Sequence, residues 1–245
     1  MNGAPQHGHN LLFLWSPPRS LSTAFLRMMI QRGDHLVVHE PFSSLVVQGY
    51  AVVEGEKITD QRELLDTLQE ISTRRRVFVK ETTEYRYDIV DAPDFPKIGC
   101  HTFLIRNPEA VISSHYAMKP DITCSEIGFE YQFEIFRTVR ESIGACPVVF
   151  AAERLADESD AVVRDYCDRV GIDFMESALS WEPENRDEWS RTREWHADAA
   201  RSKGFDYVPR VYQDRVENNA TLASYYAYQF PFYERMRSFL ADRSG

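Results

Sequence analysis

Five short apolar runs, Leu11–Trp15, His35–Val38, Val77–Lys80, Thr102–Ile105 and Val148–Ala151, alternate along this chain with stretches of helical periodicity. Each run is bounded by turn or charge signals and is too short for a helix, so each reads as a buried strand. Helices are predicted over Ser22–Gln31, which stops before Gly33, and over Gln61–Thr73, where Leu64, Leu65, Leu68 and Ile71 share a face. Further helices are predicted over Glu109–Met118 behind Pro108, along the face made by Phe129, Phe133, Phe136 and Val139, and over Ala161–Val170 before Gly171. Alternation of this kind demands a mostly parallel sheet covered on both faces. The expected class is α/β, a single domain with a central, mostly parallel sheet flanked by helices. Ligands of such sheets bind beyond the carboxyl ends of the strands.

Three polar segments lie at those ends. Trp15-Ser-Pro-Pro-Arg-Ser-Leu-Ser-Thr23 follows the first run and leads straight into a helix. A strand, a tight polar loop and a helix N-terminus together make an anion cradle of backbone N–H groups. The glycines and lysine of the ATPase loop G-x-x-x-x-G-K-[ST] are missing here. Arg19 is the cation instead, and Ser20, Ser22 and Thr23 supply hydroxyls around Leu21. The loop is built for a phosphate, but not for ATP with magnesium. His39-Glu40-Pro41-Phe42 follows the second run and Arg106-Asn107-Pro108 the fourth, so all three segments converge on one crevice.

Bulk composition narrows the partners. At 245 residues the chain suffices for one large domain, and 43% hydrophobic content is ordinary for a soluble globular protein. With 28 basic and 38 acidic residues the net charge is −10, which excludes a nucleic-acid partner held by phosphate neutralisation. An anion must be gripped by a local cluster of cations against the overall field. Cys100, Cys124, Cys146 and Cys167 have no metal spacing and read as buried free thiols of a reducing compartment. Residues 1–10 are polar, lack a basic stretch and read as a mobile tail. The apolar run that follows is too short for a signal peptide or a membrane span, so a cytoplasmic protein is expected. Residues 181–216, charged and carrying Trp181, Trp189 and Trp195, read as a long loop region with short helices, a lid on the domain 11–245. The aromatic stretch Thr221–Arg243 is expected to pack on the domain or line a substrate pocket, with Pro231 breaking or kinking it.

Arg19-Ser20-Leu21-Ser22-Thr23 resembles the 5′-phosphosulfate loop of sulfotransferases that use 3′-phosphoadenosine 5′-phosphosulfate (PAPS), in which a basic residue and a serine precede two Ser/Thr positions by one residue. Phe103-Leu104-Ile105-Arg106-Asn107-Pro108 resembles the same family's 3′-phosphate site, and the family's serine, eight positions after its arginine, falls on Ser114. Trp181-Glu182-Pro183 and Ser202-Lys203-Gly204-Phe205 are similar to the late loop that closes over the nucleotide in bacterial members. The resemblance implies a P-loop-like sulfotransferase fold, PAPS as donor with 3′-phosphoadenosine 5′-phosphate (PAP) as product, and no metal requirement. Arg19 and the loop amides and hydroxyls would meet the 5′-phosphate and the charge that develops on the leaving oxygen. Arg106 and Ser114 would bind the 3′-phosphate, with Lys203 and the Gly204 N–H closing over it and Arg201 a weaker candidate.

The acceptor, a hydroxyl or amine of a small molecule, needs a base. Both histidine and glutamate serve in branches of the family, so His39 and Glu40 are both candidates; the His-Glu-Pro-Phe form favours Glu40, with His39 packed beneath it. Lys80 would reach the sulfuryl oxygens or anchor an acidic substrate, or else lie on the surface. Arg74-Arg75-Arg76 reads as a solvated helix end, and His7 and His9 as tail residues. The size and the bacterial flavour of the resemblance suggest specialised metabolism. Two rivals stay open at this point: a small-molecule kinase with an unusual loop, for which Arg19 replaces the lysine poorly, and a non-catalytic nucleotide-binding protein of the same fold. Oligomeric state is not legible.

Overall fold

The structure, a computed structural model, describes residues 9–184, 200–205 and 210–240. In chain order the elements are β1 (Leu11–Ser16), α1 (Ser22–Arg32), β2 (Leu36–His39), α2 (Pro41–Gln48), β3 (Ala51–Val53), β4 (Glu56–Ile58), α3 (Gln61–Ser72) and β5 (Val77–Thr82). There follow β6 (Cys100–Ile105), α4 (Pro108–Met118), α5 (Phe129–Ile143), β7 (Val148–Ala151), α6 (Ala152–Asp157), α7 (Ser159–Val170) and α8 (Ala220–Arg237). All five expected strands form one parallel sheet in the order β2-β5-β1-β6-β7. β1 is central, which is why it is apolar at every position: Leu11, Phe13 and Trp15 enter one core, Leu12 and Leu14 the other.

The first core lies under α2, α3, α5 and α8. It receives Phe42 and Leu45, the predicted stripe Leu64, Leu65, Leu68 and Ile71, and Phe136, Val139 and Met236. The second lies under α1, α6 and α7 and is built on Phe25, Met28, Met29, Leu155 and Tyr166. Phe25 meets Tyr166 edge-on at 4.9 Å between ring centroids, a favoured aromatic geometry.

Several expectations are corrected. Pro231 does not break the C-terminal segment: α8 runs through it to Arg237. Phe232 and Tyr233, next in sequence, pack on Phe133 and Phe129 of α5, and that burial outweighs the lost backbone hydrogen bond. The cysteines are all free, but only Cys167 is buried; Cys146 is exposed beyond the end of α5. The helix α2 and the β3–β4 hairpin appear where no element was expected. The hairpin turns on Glu54 and Gly55, both left-handed, the geometry of a two-residue turn. Arg74 and Arg75 pair with Glu54 of this turn, and Arg76 pairs with Asp34. Among the described residues no helix is long and apolar enough to cross a membrane. Residues 1–8 of the expected tail 1–10, with His7, lie outside the described residues, as do 185–199 with Trp189 and Trp195, 206–209 and 241–245.

Candidate active site

The loop after β1 is shaped by backbone conformation. Arg19 and Leu21 both have left-handed backbones, at φ 62° and 61°, on either side of Ser20. A non-glycine residue bears about 1–2 kcal/mol of steric cost in that region. Alternating left-handed residues turn successive N–H groups inward, which makes the concave donor surface of an anion nest. Leu21 is also the N-cap of α1, whose first-turn amides open onto the same concavity. Ser20 and Ser22 are buried and Thr23 is half-buried.

Arg106, at the end of β6, and Ser114, in the second turn of α4, meet this loop directly. The Arg106 guanidinium donates to the Arg19 carbonyl, which supports the strained backbone there. The Arg19 Nε donates to Ser114 Oγ at 3.0 Å, and Tyr212 donates its hydroxyl to the same oxygen at 3.0 Å. Arg106 and Ser114 are 7% and 3% exposed, so neither is a surface residue. Three segments separated by nearly a hundred residues each thus form one cationic, hydroxyl-rich cluster in an acidic protein. Tyr212 escaped the sequence reading because nothing in its neighbourhood marks it; only the fold carries it to Ser114.

A second group gathers at the ends of β2 and β5. His39 and Lys80 are register partners, and both project to the α1 side of the sheet, as the parity of Val37 and Phe78 requires. Glu40, the N-cap of α2, is left-handed at φ 47° and ψ 51°. That turn brings its carboxylate back to Lys80 Nζ, with His39 Nε2 at 3.6 Å from the same oxygen. Lys80 is 3% exposed, which removes the surface alternative for it. The structure therefore brings Glu40, His39 and Lys80 together and joins Arg19, Arg106 and Ser114 in a second cluster at the same edge of the sheet.

Beneath Glu40 lies Glu81, which the sequence reading passed over. It has no exposed surface, and its strand parity sends it to the opposite face from Lys80, under α2. Its Oε2 accepts from the backbone N–H groups of Phe42 at 2.8 Å and Ser43 at 3.3 Å, the first turn of α2. Its Oε1 accepts from Ser43 Oγ at 2.6 Å and Thr82 N at 2.9 Å, with the Tyr87 hydroxyl at 3.1 Å. Burial, and next the charge of Glu40, push its carboxyl up to about 7. Burial also pushes the Tyr87 hydroxyl well above its ordinary value. The only sequence signal for Glu81 was a carboxylate directly after the apolar run Val77–Lys80; the strand extends to Thr82, and a carboxylate buried there demands partners.

The late segment is pinned to α1 instead. Trp181 N–H bonds to the Lys203 carbonyl at 3.1 Å, its indole donates to Ser202 Oγ at 3.1 Å, and Glu184 N–H bonds to the Ala200 carbonyl at 3.0 Å. Phe205 packs on Trp181 and Phe25. Arg27 of α1, itself buried, donates to the Glu182 carbonyl at 2.7 Å. Gly204 is half-buried, and a Cβ there would stand 3.3 Å from the Leu179 carbonyl. The Arg201 and Lys203 side chains are exposed and make no hydrogen bond or ion pair among the described residues. They are not bonded to Ser114 as Tyr212 is.

Comparison with known proteins places this arrangement. A sequence model of the sulfotransferase domain matches residues 11–240. Two curated Arabidopsis thaliana proteins, branched-chain-amino-acid aminotransferase-like proteins 2 and 1, are 26% and 27% identical over 186 and 175 residues, 70% and 68% of this chain. Those stretches are 32% and 31% of the relatives, so the chain spans about a third of their length. Among solved structures, the sulfotransferase domain from the curacin biosynthetic pathway superposes at a TM-score of 0.51 with 12% identity, over 89% of this chain and 96% of that one, a likeness of fold. The family match runs through the loop after β1, the β6–α4 corner and the parallel sheet between them, and displaces the kinase alternative: the chain belongs to the sulfotransferase domain family.

Proposed function

We propose that this domain transfers a sulfuryl group from PAPS to a hydroxyl or amine of a small-molecule acceptor, with Glu40 as the base. The observation that carries this reading is the Glu40 carboxylate held against Lys80 and His39 at the carboxyl edge of the sheet, beside the Arg19–Thr23 loop. The acceptor oxygen or nitrogen forms a bond to sulfur as Glu40 takes its proton. The bond from sulfur to the bridging oxygen breaks, and its electron pair leaves on the 5′-phosphate of PAP. Arg19 and Lys80 are the cations for that developing charge, and preorganised charge of this kind is worth on the order of a hundredfold in rate per donor. The arriving sulfuryl group competes with Glu40 for Lys80, and a carboxylate released from an ion pair is the stronger base. Arg106 and Ser114 hold the 3′-phosphate, with Lys203 and the Gly204 N–H as further donors to it and Arg201 a weaker one.

The test is incubation with PAPS and a panel of hydroxyl- and amine-bearing metabolites in excess chelator, with mass spectrometry for sulfonated products and chromatography for PAP. Sulfonated product from wild type and none from Glu40→Gln, with PAP binding intact in both, is expected. Turnover that requires ATP and magnesium sinks the reading. Activity undiminished in Glu40→Gln removes Glu40 as base and leaves His39→Ala as the next variant to assay.

A further inference from the structure

Glu81 touches none of the groups that would meet the donor, yet five hydrogen-bonding groups converge on it. It sits under the first turn of α2, where its Oε2 takes the Phe42 and Ser43 amides. Those are free donors at a helix N-terminus, where ordinarily a capping side chain from the preceding residue would serve. The preceding residue here is Glu40, whose own side chain makes no cap. Its carboxylate is turned to Lys80 instead. A carboxylate from the neighbouring strand does the capping, and the Glu40 side chain is released for another use.

The rest of the surroundings fix Glu40 by its main chain. Glu40 N–H bonds to the Lys80 carbonyl at 2.7 Å, and its own carbonyl accepts from the amide and hydroxyl of Ser44 at 3.0 and 2.9 Å. These bonds bracket a left-handed glutamate, a conformation that persists only where neighbours over-determine it. Glu81 completes the bracket on the helix side. It is held in turn by Thr82 N–H on its own strand and by Ser43 and Tyr87, whose hydroxyl is also 2.7 Å from the Thr82 carbonyl.

We propose that Glu81 is a positioning residue for sulfuryl transfer: it caps α2 from the neighbouring strand and so holds Glu40 in the left-handed turn that carries its carboxylate to Lys80. This rests on Glu40 being the base. Glu40 across the turn and Tyr87 from the segment after it face Glu81, and Lys80, next on its own strand but on the opposite face, acts on it through its charge. Loss of the Glu81 carboxyl lets the first turn of α2 shift and carries the Glu40 carboxylate away from the Lys80 cation, which makes Glu40 harder to ionise.

The experiment compares wild type, Glu81→Gln, Ser43→Ala, Tyr87→Phe and Glu40→Gln, each checked for folding by circular dichroism and for PAP binding by calorimetry. PAP release from PAPS is followed across pH, with the acceptor found in the metabolite panel or with water. The expected result for Glu81→Gln is a fall in kcat of about tenfold or more with KM for PAPS unchanged, and an acid limb of the kcat profile displaced to higher pH as Glu40 loses Lys80. Ser43→Ala and Tyr87→Phe each remove one partner of Glu81 and give smaller losses of the same kind, so the proposal stays exposed to test even where Glu81→Gln does not fold. A folded Glu81→Gln, or both lesser variants, with wild-type kcat and acid limb and only a lower Tm, overturns it and leaves Glu81 a structural cap. Should Glu40→Gln retain kcat, the base assignment falls; should Glu40→Gln be inactive while Glu81→Gln is normal, only the role given to Glu81 falls.

Discussion

Ser114→Ala is the sharpest probe of the proposed nucleotide site. Ser114 Oγ accepts from Arg19 Nε and from the Tyr212 hydroxyl, each at 3.0 Å, so both of its lone pairs are used and its own proton is left to donate. A 3′-phosphate lying against Arg106 is the partner that proton would take. A hydrogen bond to a charged group is worth about 1.5–3 kcal/mol, so its loss should weaken PAP by about 10- to 150-fold. The fold should barely register the change, because Arg19 is half-buried and its Nε can turn to water. The assay is isothermal calorimetry with PAP and, in parallel, with adenosine 5′-phosphate, which lacks the 3′ group. PAP affinity should fall into the stated range while adenosine 5′-phosphate changes by less than about threefold. Equal weakening of both ligands, or an unchanged PAP affinity, would refute the placement of the 3′-phosphate. Tyr212→Phe leaves Ser114 in place and removes a neutral donor, so it should cost only about two- to tenfold.

Lys80→Ala should lower kcat by on the order of a hundredfold or more while leaving PAP affinity intact, since in the proposed mechanism Lys80 meets the charge of the transition state and not the bound product; single-turnover PAP release measures it. Glu81 also makes a prediction about stability. Its carboxyl titrates near 7 in the folded state against 4.5 for the free side chain, so the folded state binds the extra proton and stability from this group falls as pH rises from about 4.5 to about 7. The shift corresponds to about 3 kcal/mol, and urea titrations of wild type and Glu81→Gln should diverge by an amount of that order across this window; parallel curves would refute it. Arg27→Ala removes the buried guanidinium that holds the Glu182 carbonyl and faces Glu184 at 3.3 Å. The Tm should fall by about 2–8 °C, with calorimetry as the readout.

Much of the fold was legible because one physical rule generates it. A strand buried on both faces must be apolar throughout, and a helix lying on a sheet must be apolar along one stripe. Leu11–Trp15 and the Leu64, Leu65, Leu68 and Ile71 stripe announce themselves on that ground alone. The element α2 did not, because Pro41–Gln48 is short and takes its first-turn cap from Glu81 on another strand, a partner no local pattern reveals. Pro231 misled for the opposite reason: its local cost is real, but the aromatic contacts that outweigh it are made with α5. Cys146 likewise reads as any free thiol does, until the end of α5 is seen to leave it in solvent.

The candidate site divides along the same line. By itself the sequence determined which chemistry was present: a basic, hydroxyl-rich loop after a strand, an Arg-Asn-Pro corner after another, and a His-Glu pair after a third. Those identities follow from residue type and from their place at strand ends. Only the tertiary structure decided which of these groups touch. Parallel register sets His39 beside Lys80, the left-handed turn at Glu40 closes that pair into a trio, and the β6–α4 corner delivers Arg106 and Ser114 to Arg19. It also brought in Glu81 and Tyr212, whose importance lies wholly in what they meet. Contact between residues far apart in the chain is a property of packing, and packing is settled by the whole core rather than by any local run of residues.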